Sequence, residues 1–220
     1  MKGAVKVQIR WLGHACFLLA DAEGRRLVTD PFDPQIGYPA PKVAADVVTV
    51  SHDHFDHNAI DQIQGQPEVI QGAGKHEAQG LDIYGLATFH DDQGGRQRGN
   101  NTVFRWVMDG VRVCHLGDLG HALTPAQVAE IGPQDVLMVP VGGFFTIDAV
   151  QARQVVEAIK PRIVLPMHYK TPALPAQQFP IQGVDEFSRQ FPRVTNQEFL
   201  EVSAGTRPEE MTVIILALPA

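Results

Sequence analysis

The chain is poor in several features that common functions require. Its 220 residues include two cysteines, Cys16 and Cys114, each inside an apolar segment and with no CxxC spacing. That argues against a thiolate zinc site. Two buried free thiols in a reducing compartment fit this usage, although a single Cys16–Cys114 disulfide stays open on sequence alone. No stretch approaches the roughly 18 apolar residues that span a bilayer. Arg10 and His14 fall where a signal peptide needs an unbroken apolar region, so a cytoplasmic protein is expected. Positive charge is also short. Eighteen Lys and Arg stand against 25 Asp and Glu, giving a formal net charge of −7 and a pI of about 5.7. That balance supplies no general attraction for nucleic acid or anionic membrane. No low-complexity segment or domain-separating linker is visible. Residues 1–220 are therefore expected to form one domain able to bury a large core.

What the chain does have is concentrated at Ser51-His52-Asp53-His54-Phe55-Asp56-His57, directly after the apolar run Ala44 to Val50. Val47, Val48 and Val50 are β-branched and uninterrupted by charge, the pattern of a buried strand. A strand that ends in imidazoles and carboxylates delivers them to the rim of a sheet, where ligands bind. His52 and His54, two apart, can point the same way, while Asp56 and His57 arrive after a turn and can face a second point. One segment can therefore feed two metal ions. A polar loop that merely caps the next helix gains little from three imidazoles and two carboxylates in six residues. Imidazole with carboxylate suits zinc, and also manganese, iron or nickel.

Other strand ends repeat the theme. Residues 5–11, 16–20 and 26–29 read as a β-meander closed by Asp30-Pro31-Phe32-Asp33-Pro34. Asp30 is either a partner lying under the cluster or a simple turn aspartate. Residues 58–63 are expected as a short helix, 68–71 as a strand and 75–79 as a helix with His76 on its outer face. The strand 84–89 runs into His90. Asp109-Gly110 predicts a hairpin between 102–108 and 111–116, and the second strand leads into Gly117-Asp118-Leu119-Gly120. Thr124-Pro125 with Gln127 predicts a capped helix. A strand follows over 135–140, then an amphipathic helix over 148–159. The strand 162–166 ends at His168, and the remaining predicted elements are a helix over 184–191 and a strand over 212–218.

Histidines and aspartates after five strands (52–57, His90, Asp118, His168 and the ambiguous Asp30) form a pattern that no single one of them would. His52-Asp53-His54-Phe55-Asp56-His57 resembles the HxHxDH signature of the metallo-β-lactamase superfamily, and His90, Asp118 and His168 match its later motifs in order and spacing. Trp11-Leu12-Gly13-His14, Thr29-Asp30-Pro31-Phe32 and Arg98-Gly99-Asn100-Asn101-Thr102 further resemble the branch holding L-ascorbate 6-phosphate lactonase-like proteins and N-acyl-phosphatidylethanolamine phospholipase D relatives. The resemblance implies an α/β (α+β) fold, a four-layer αββα sandwich with a dinuclear site at one edge. It puts His52, His54 and His90 on one metal and Asp56, His57 and His168 on the other, with Asp118 bridging them. Leu119 stands where many relatives carry Thr, beside a ligand without being one.

Two divalent cations, zinc foremost, would share a water, ionise it near neutral pH and polarise the bond under attack, with Asp56 orienting the bridging hydroxide. Around this centre, His14 is expected to hydrogen-bond a ligand. His115 reads as such a partner or as a core histidine, and His121 as a proton donor or a solvated loop histidine. Arg98, Tyr169 and Lys170 are candidates for an anionic substrate group, and Phe144 and Phe145 for an apolar wall. Three functions compete. The first is hydrolysis of a small ester, lactone or phosphodiester. The second is a nuclease, which the acidic balance opposes. The third is a non-catalytic metal or ligand sensor. A homo-oligomer is compatible with all three.

Overall fold

The structure, a computed structural model, describes residues 5–175, 177–206 and 208–218. The strands in chain order are β1 (Val7–Gly13), β2 (Cys16–Ala20), β3 (Arg26–Thr29), β4 (Val47–Val50), β5 (Glu68–Gln71), β6 (Gly74–Ala78) and β7 (Leu81–Phe89). There follow β8 (Asn100–Met108), β9 (Val111–His115), β10 (Val136–Pro140), β11 (Ile163–Met167), β12 (Val194–Gln197), β13 (Leu200–Val202) and β14 (Thr212–Leu216). Three α-helices, α1 (Pro125–Ile131), α2 (Ala149–Ile159) and α3 (Asp185–Ser188), and two 3-10 turns, Pro34–Ile36 and Ile60–Gln62, the second inside the expected helix 58–63, complete the regular elements among the described residues.

The strands form a six-stranded sheet, β13-β1-β2-β3-β4-β5, and an eight-stranded sheet, β12-β14-β11-β10-β9-β8-β7-β6. Alternation along each strand explains how they stack. Leu27 and Val47 face the core shared with the second sheet, while their neighbours Val28 and Val48 face a second apolar cluster on the outside. That outer cluster is filled by Phe32, Ile36, Tyr38, Leu174 and Ile181, from loops and a 3-10 turn. On the other side, α2 buries Ala152, Val155, Val156 and Ile159 against the shared core. Asp148 caps α2 by accepting from the Val150 and Gln151 amides, and Thr124 with Gln127 forms the expected capping box of α1. The architecture is an αββα sandwich of two mixed sheets, with the layer outside the smaller sheet thinned to short turns.

Two expectations are corrected. Residues 75–79, expected as a helix, instead contain most of β6, paired antiparallel to β7 from Gly74↔Gly85 to Ala78↔Leu81. Gln79 and Gly80 both have positive φ, 49° and 72°, the geometry of a tight hairpin turn. Pairing with β7 overrides the helical preference of Lys, Glu and Ala, and exposed Lys75 and Glu77 mark β6 as a sheet edge. The predicted helix 184–191 shrinks to α3, and β12 and β13 went unrecognised. β12 is exposed along its whole length, so it carries no buried face to read.

Candidate metal centre

Strand direction gathers the candidates. β1 and β3 both pair antiparallel with β2, and β3 pairs parallel with β4, so all three exit at one end of the smaller sheet. In the larger sheet, β9, β10 and β11 are parallel, and β7 joins them in direction through antiparallel β8. His14, Asp30 and the 52–57 segment follow β1, β3 and β4; His90, Asp118 and His168 follow β7, β9 and β11. Three hydrogen bonds lock the two edges together there: Thr102 N to Ser51 O at 2.9 Å, His115 Nε2 to Ala15 O at 2.9 Å and His168 N to His14 O at 3.1 Å. The chain must reverse sharply at these exits. His14, Asp30 and His168 take left-handed backbone (φ 52°, 38° and 54°), a strained state of order 1 kcal/mol or more each that surrounding structure must enforce.

Two groups of side chains converge at that edge, each with its ligand atoms within 4.8 Å of one another: His52, His54 and His90, and Asp56, His57, His168 and His14. Asp118 lies between them. Its Oδ2 is 3.2 Å from His57 Nε2, 3.2 Å from His90 Nε2 and 3.1 Å from His168 Nε2.

The hydrogen bonds behind these residues choose which ring nitrogen faces inward. Asp30, fully buried, accepts from the Ser51 amide (2.8 Å), from Ser51 Oγ (2.6 Å) and from His57 Nδ1 (2.9 Å). Ser51 Oγ is in turn 2.9 Å from His52 Nδ1. Asp30 therefore holds the proton of His57 on Nδ1 directly, and that of His52 through Ser51. Both Nε2 atoms are thereby turned to the centre, that of His57 facing Asp118 Oδ2 at 3.2 Å and that of His52 buried with no hydrogen-bond partner among the described residues. His14 Nε2 lies 3.1 Å from Asp56 Oδ2 and fixes that carboxylate. Asp118 is aimed by Asn101, whose Oδ1 accepts from the Asp118 amide at 2.9 Å while its Nδ2 donates to Thr88 Oγ1 and Leu116 O. Sequence reading named Asn101 only within the Arg98-Gly99-Asn100-Asn101-Thr102 motif and missed this role; an Asn inside a strand, directly before the buried run Thr102 to Phe104, is the signal that could have found it.

The electrostatics fit a cation. Burial lowers His52 to about 3 and, with neighbouring His168, lowers His14 to about 4, so both rings are neutral near pH 7. Asp56 and Asp118 stay ionised: burial opposes their charge, but the imidazoles of His57 and His168 respectively outweigh it. His57 is raised despite burial by Asp118 and Asp56. Three imidazole nitrogens crowd one carboxylate oxygen, while His52 Nε2, His90 Nδ1, His168 Nδ1 and Asp118 Oδ1 are buried without partners. Unpaired buried polar atoms are costly. A divalent cation held among them would satisfy such lone pairs, and the nitrogen–oxygen donor set is of the kind that suits zinc, manganese, iron or nickel.

The centre opens into a cleft of about 720 Å3, whose walls include Arg98, Phe55, Phe145, Phe179 and Gln178, with His54 and Asp56 at its floor. Of the expected substrate contacts, Arg98 and Phe145 line it. The others do not. Tyr169 is buried and stacked on Trp11, with ring centroids 5.0 Å apart. Lys170 spends its Nζ on the Leu174 and Phe179 carbonyls at 2.9 and 3.2 Å, bracing the loop that carries Phe179. Phe144 is 62% exposed, edge-on to Phe145. His121, the expected proton donor, is corrected too: its Nε2 accepts from the Phe89 amide and its Nδ1 donates to the Ala122 carbonyl, so no ring proton is free. His115 bridges Ala15 O and the Gly117 amide, bracing the turn before Asp118 without joining the cluster.

Two mixed sheets with ligand-bearing loops at one shared edge define the metallo-β-lactamase fold. Residues 8–168 match the β-lactamase superfamily domain. A UPF0173 metal-dependent hydrolase from Methanoculleus marisnigri is 30% identical, over 90% of this chain and 95% of that relative. The chain belongs to the metallo-β-lactamase superfamily, within the UPF0173 metal-dependent hydrolase family. It is also similar to a crystal structure from Thermotoga maritima, described as a candidate Zn-dependent hydrolase of this superfamily (42% identity, TM-score 0.80, 97% of this chain and 100% of that one). A metallo hydrolase from Ignicoccus hospitalis shares the fold at 21% identity (TM-score 0.67, 98% of this chain and 96% of that one).

Proposed function

We propose that the protein is a dinuclear metal-dependent hydrolase, zinc being the metal its donor set suits best, that cleaves a small ester, lactone or phosphodiester. Our reading treats 1–220 as one catalytic domain. The observation that carries it is the pair of ligand groups on either side of Asp118, at the floor of an open cleft. His52, His54 and His90 would hold one ion, Asp56, His57 and His168 the other, with Asp118 between. When bound, such ions supply an acidified water and a positive field at the oxygen that gains charge.

The chain's own groups supply the rest. Asp56, ionised and pinned through Oδ2 by His14, is the carboxylate placed to take a proton from the attacking water. Asp30 and Ser51 keep the imidazole tautomers that present Nε2. Phe145 and Phe179 exclude water from one wall. Motifs shared with the lactonase-like branch support keeping lactones among the candidates. A nuclease needs a basic groove, whereas Arg98 is the one Lys or Arg among the described residues lining this cleft. Two buried free cysteines support a reducing, cytoplasmic setting.

The test is elemental analysis after dialysis, followed by turnover of chromogenic esters, lactones and phosphodiesters with zinc, manganese or nickel. His54→Ala and Asp118→Ala should abolish turnover in a folded protein, and His121→Ala should leave it within about threefold. Parent-like rates for the first two would refute the assignment.

A further inference from the structure

One wall of the cleft connects the candidate centre to a cation. His14 packs on His168 with ring centroids 4.1 Å apart. Phe179 meets His14 edge-on at 5.9 Å, and Phe145 meets Phe179 edge-on at 6.3 Å. The Arg98 guanidinium then sits 5.7 Å from the Phe145 ring centre. Two phenyl rings therefore separate the imidazole cluster from the guanidinium along a continuous aromatic surface.

Arg98 is half-buried, and its side chain makes no hydrogen bond or ion pair with any described residue. Its backbone, by contrast, is firmly held. The buried carboxylate of Asp91 accepts from four amides, those of Gln93, Gly95, Gln97 and Arg98, at 2.7 to 2.9 Å. Burial penalises that carboxylate, but the four donors bring it down to about 2. The loop is tied back to the centre by His90 N to Gly99 O at 3.0 Å. A guanidinium on a braced loop, partly desolvated and without a carboxylate partner among the described residues, is ready to donate two parallel hydrogen bonds to a planar or tetrahedral anion.

We propose that this wall selects esters carrying an anionic group, carboxylate or phosphate, at the far end of an apolar segment. The scissile bond lies at the imidazole cluster, the segment along Phe179 and Phe145, and the anion on Arg98. Hydrolysis breaks the acyl carbon–oxygen bond; water's hydroxyl joins the carbonyl carbon and its other hydrogen goes to the leaving oxygen. This inference rests on the hydrolase reading for its chemistry, but its recognition element can be tested by binding alone.

Calorimetry on the metal-loaded protein compares phenylbutyrate and phenylpropyl phosphate with neutral phenylbutanol. The anions should bind roughly ten- to a hundredfold tighter than the alcohol. Arg98→Gln should collapse that ratio to within about threefold, and Arg98→Lys should keep part of it. The two anion arms decide whether carboxylate or phosphate is the better fit. A kinetic arm uses the p-nitrophenyl monoester of glutaric acid against p-nitrophenyl valerate. The ratio of their kcat/KM values should fall towards one in Arg98→Gln. Equal binding of acid and alcohol, a preference that survives Arg98→Gln, or no binding of any of the three would overturn the proposal. Selective, Arg98-dependent binding with neither ester cleaved would overturn the ester chemistry proposed for this wall and leave the anion site standing.

Discussion

Asp30 offers the sharpest test, because it touches no bound group and yet sets two ring tautomers. Asp30→Asn preserves shape and one acceptor, which can still receive the Ser51 amide. The other oxygen becomes an NH2 facing Ser51 Oγ and His57 Nδ1, where Asp30 Oδ2 now accepts at 2.6 and 2.9 Å. Two acceptor contacts are lost, and the His57 proton is driven to Nε2, the nitrogen that faces Asp118 at 3.2 Å. Hydrogen bonds to a buried charge contribute ~1.5–3 kcal/mol each, and part is regained by rotation of Ser51, so ~2–4 kcal/mol of stability should go. In a chain of this length that is a Tm drop of roughly 5–15 °C, measured on metal-free protein to separate it from ligand binding. Metal affinity should fall by about 10- to 100-fold, as it does when a ligand's hydrogen-bond partner is removed. Ser51→Ala, which leaves the His57 contact in place, should cost less on both measures. Competition against a fluorescent zinc chelator reads the affinity. Asp30→Asn binding zinc within about twofold of the parent would refute the tautomer argument.

Two further outcomes follow from packing and charge. A Cβ on Gly142 would lie 2.2 Å from His168 O, whereas one on Gly183 meets nothing within 4 Å. Gly142→Ala should therefore cost about 1–3 kcal/mol, seen as a lower Tm, and Gly183→Ala should be near neutral; equal effects would contradict the backbone approach. Asp91, held down to about 2 by its amide donors against burial, has a folded pKa below the ordinary carboxylate value near 4. Its contribution is thus complete above that value and fades as pH falls towards about 2. The gap in urea midpoint between parent and Asp91→Ala should be full at pH 6 and shrink below about pH 4; a gap that widened in acid would reverse the sign.

How much of this was legible beforehand depended on whether local chemistry or distant pairing decided it. The capping box at Thr124, the amphipathic run over 148–159, the Asp109-Gly110 turn and the apolar run into His52 are local signals, and the elements they mark formed. The helix expected over 75–79 failed because β7, a separate segment, offered its edge. Tyr169 and Lys170 adjoin His168 in sequence but left-handed backbone at His168 and packing on Trp11 turn them from the cleft.

By itself, the sequence determined which residues could bind a cation and that they would follow strands, since residue type and alternation are properties of short segments. Only the tertiary structure decided that those strands run the same way within each sheet, that Asp30 reaches His57 and Ser51, that Asn101 aims Asp118, and that His121 turns its ring to the Phe89 amide and the Ala122 carbonyl. Those facts depend on the stacking of two sheets and on side chains from distant segments meeting, which local pattern cannot encode.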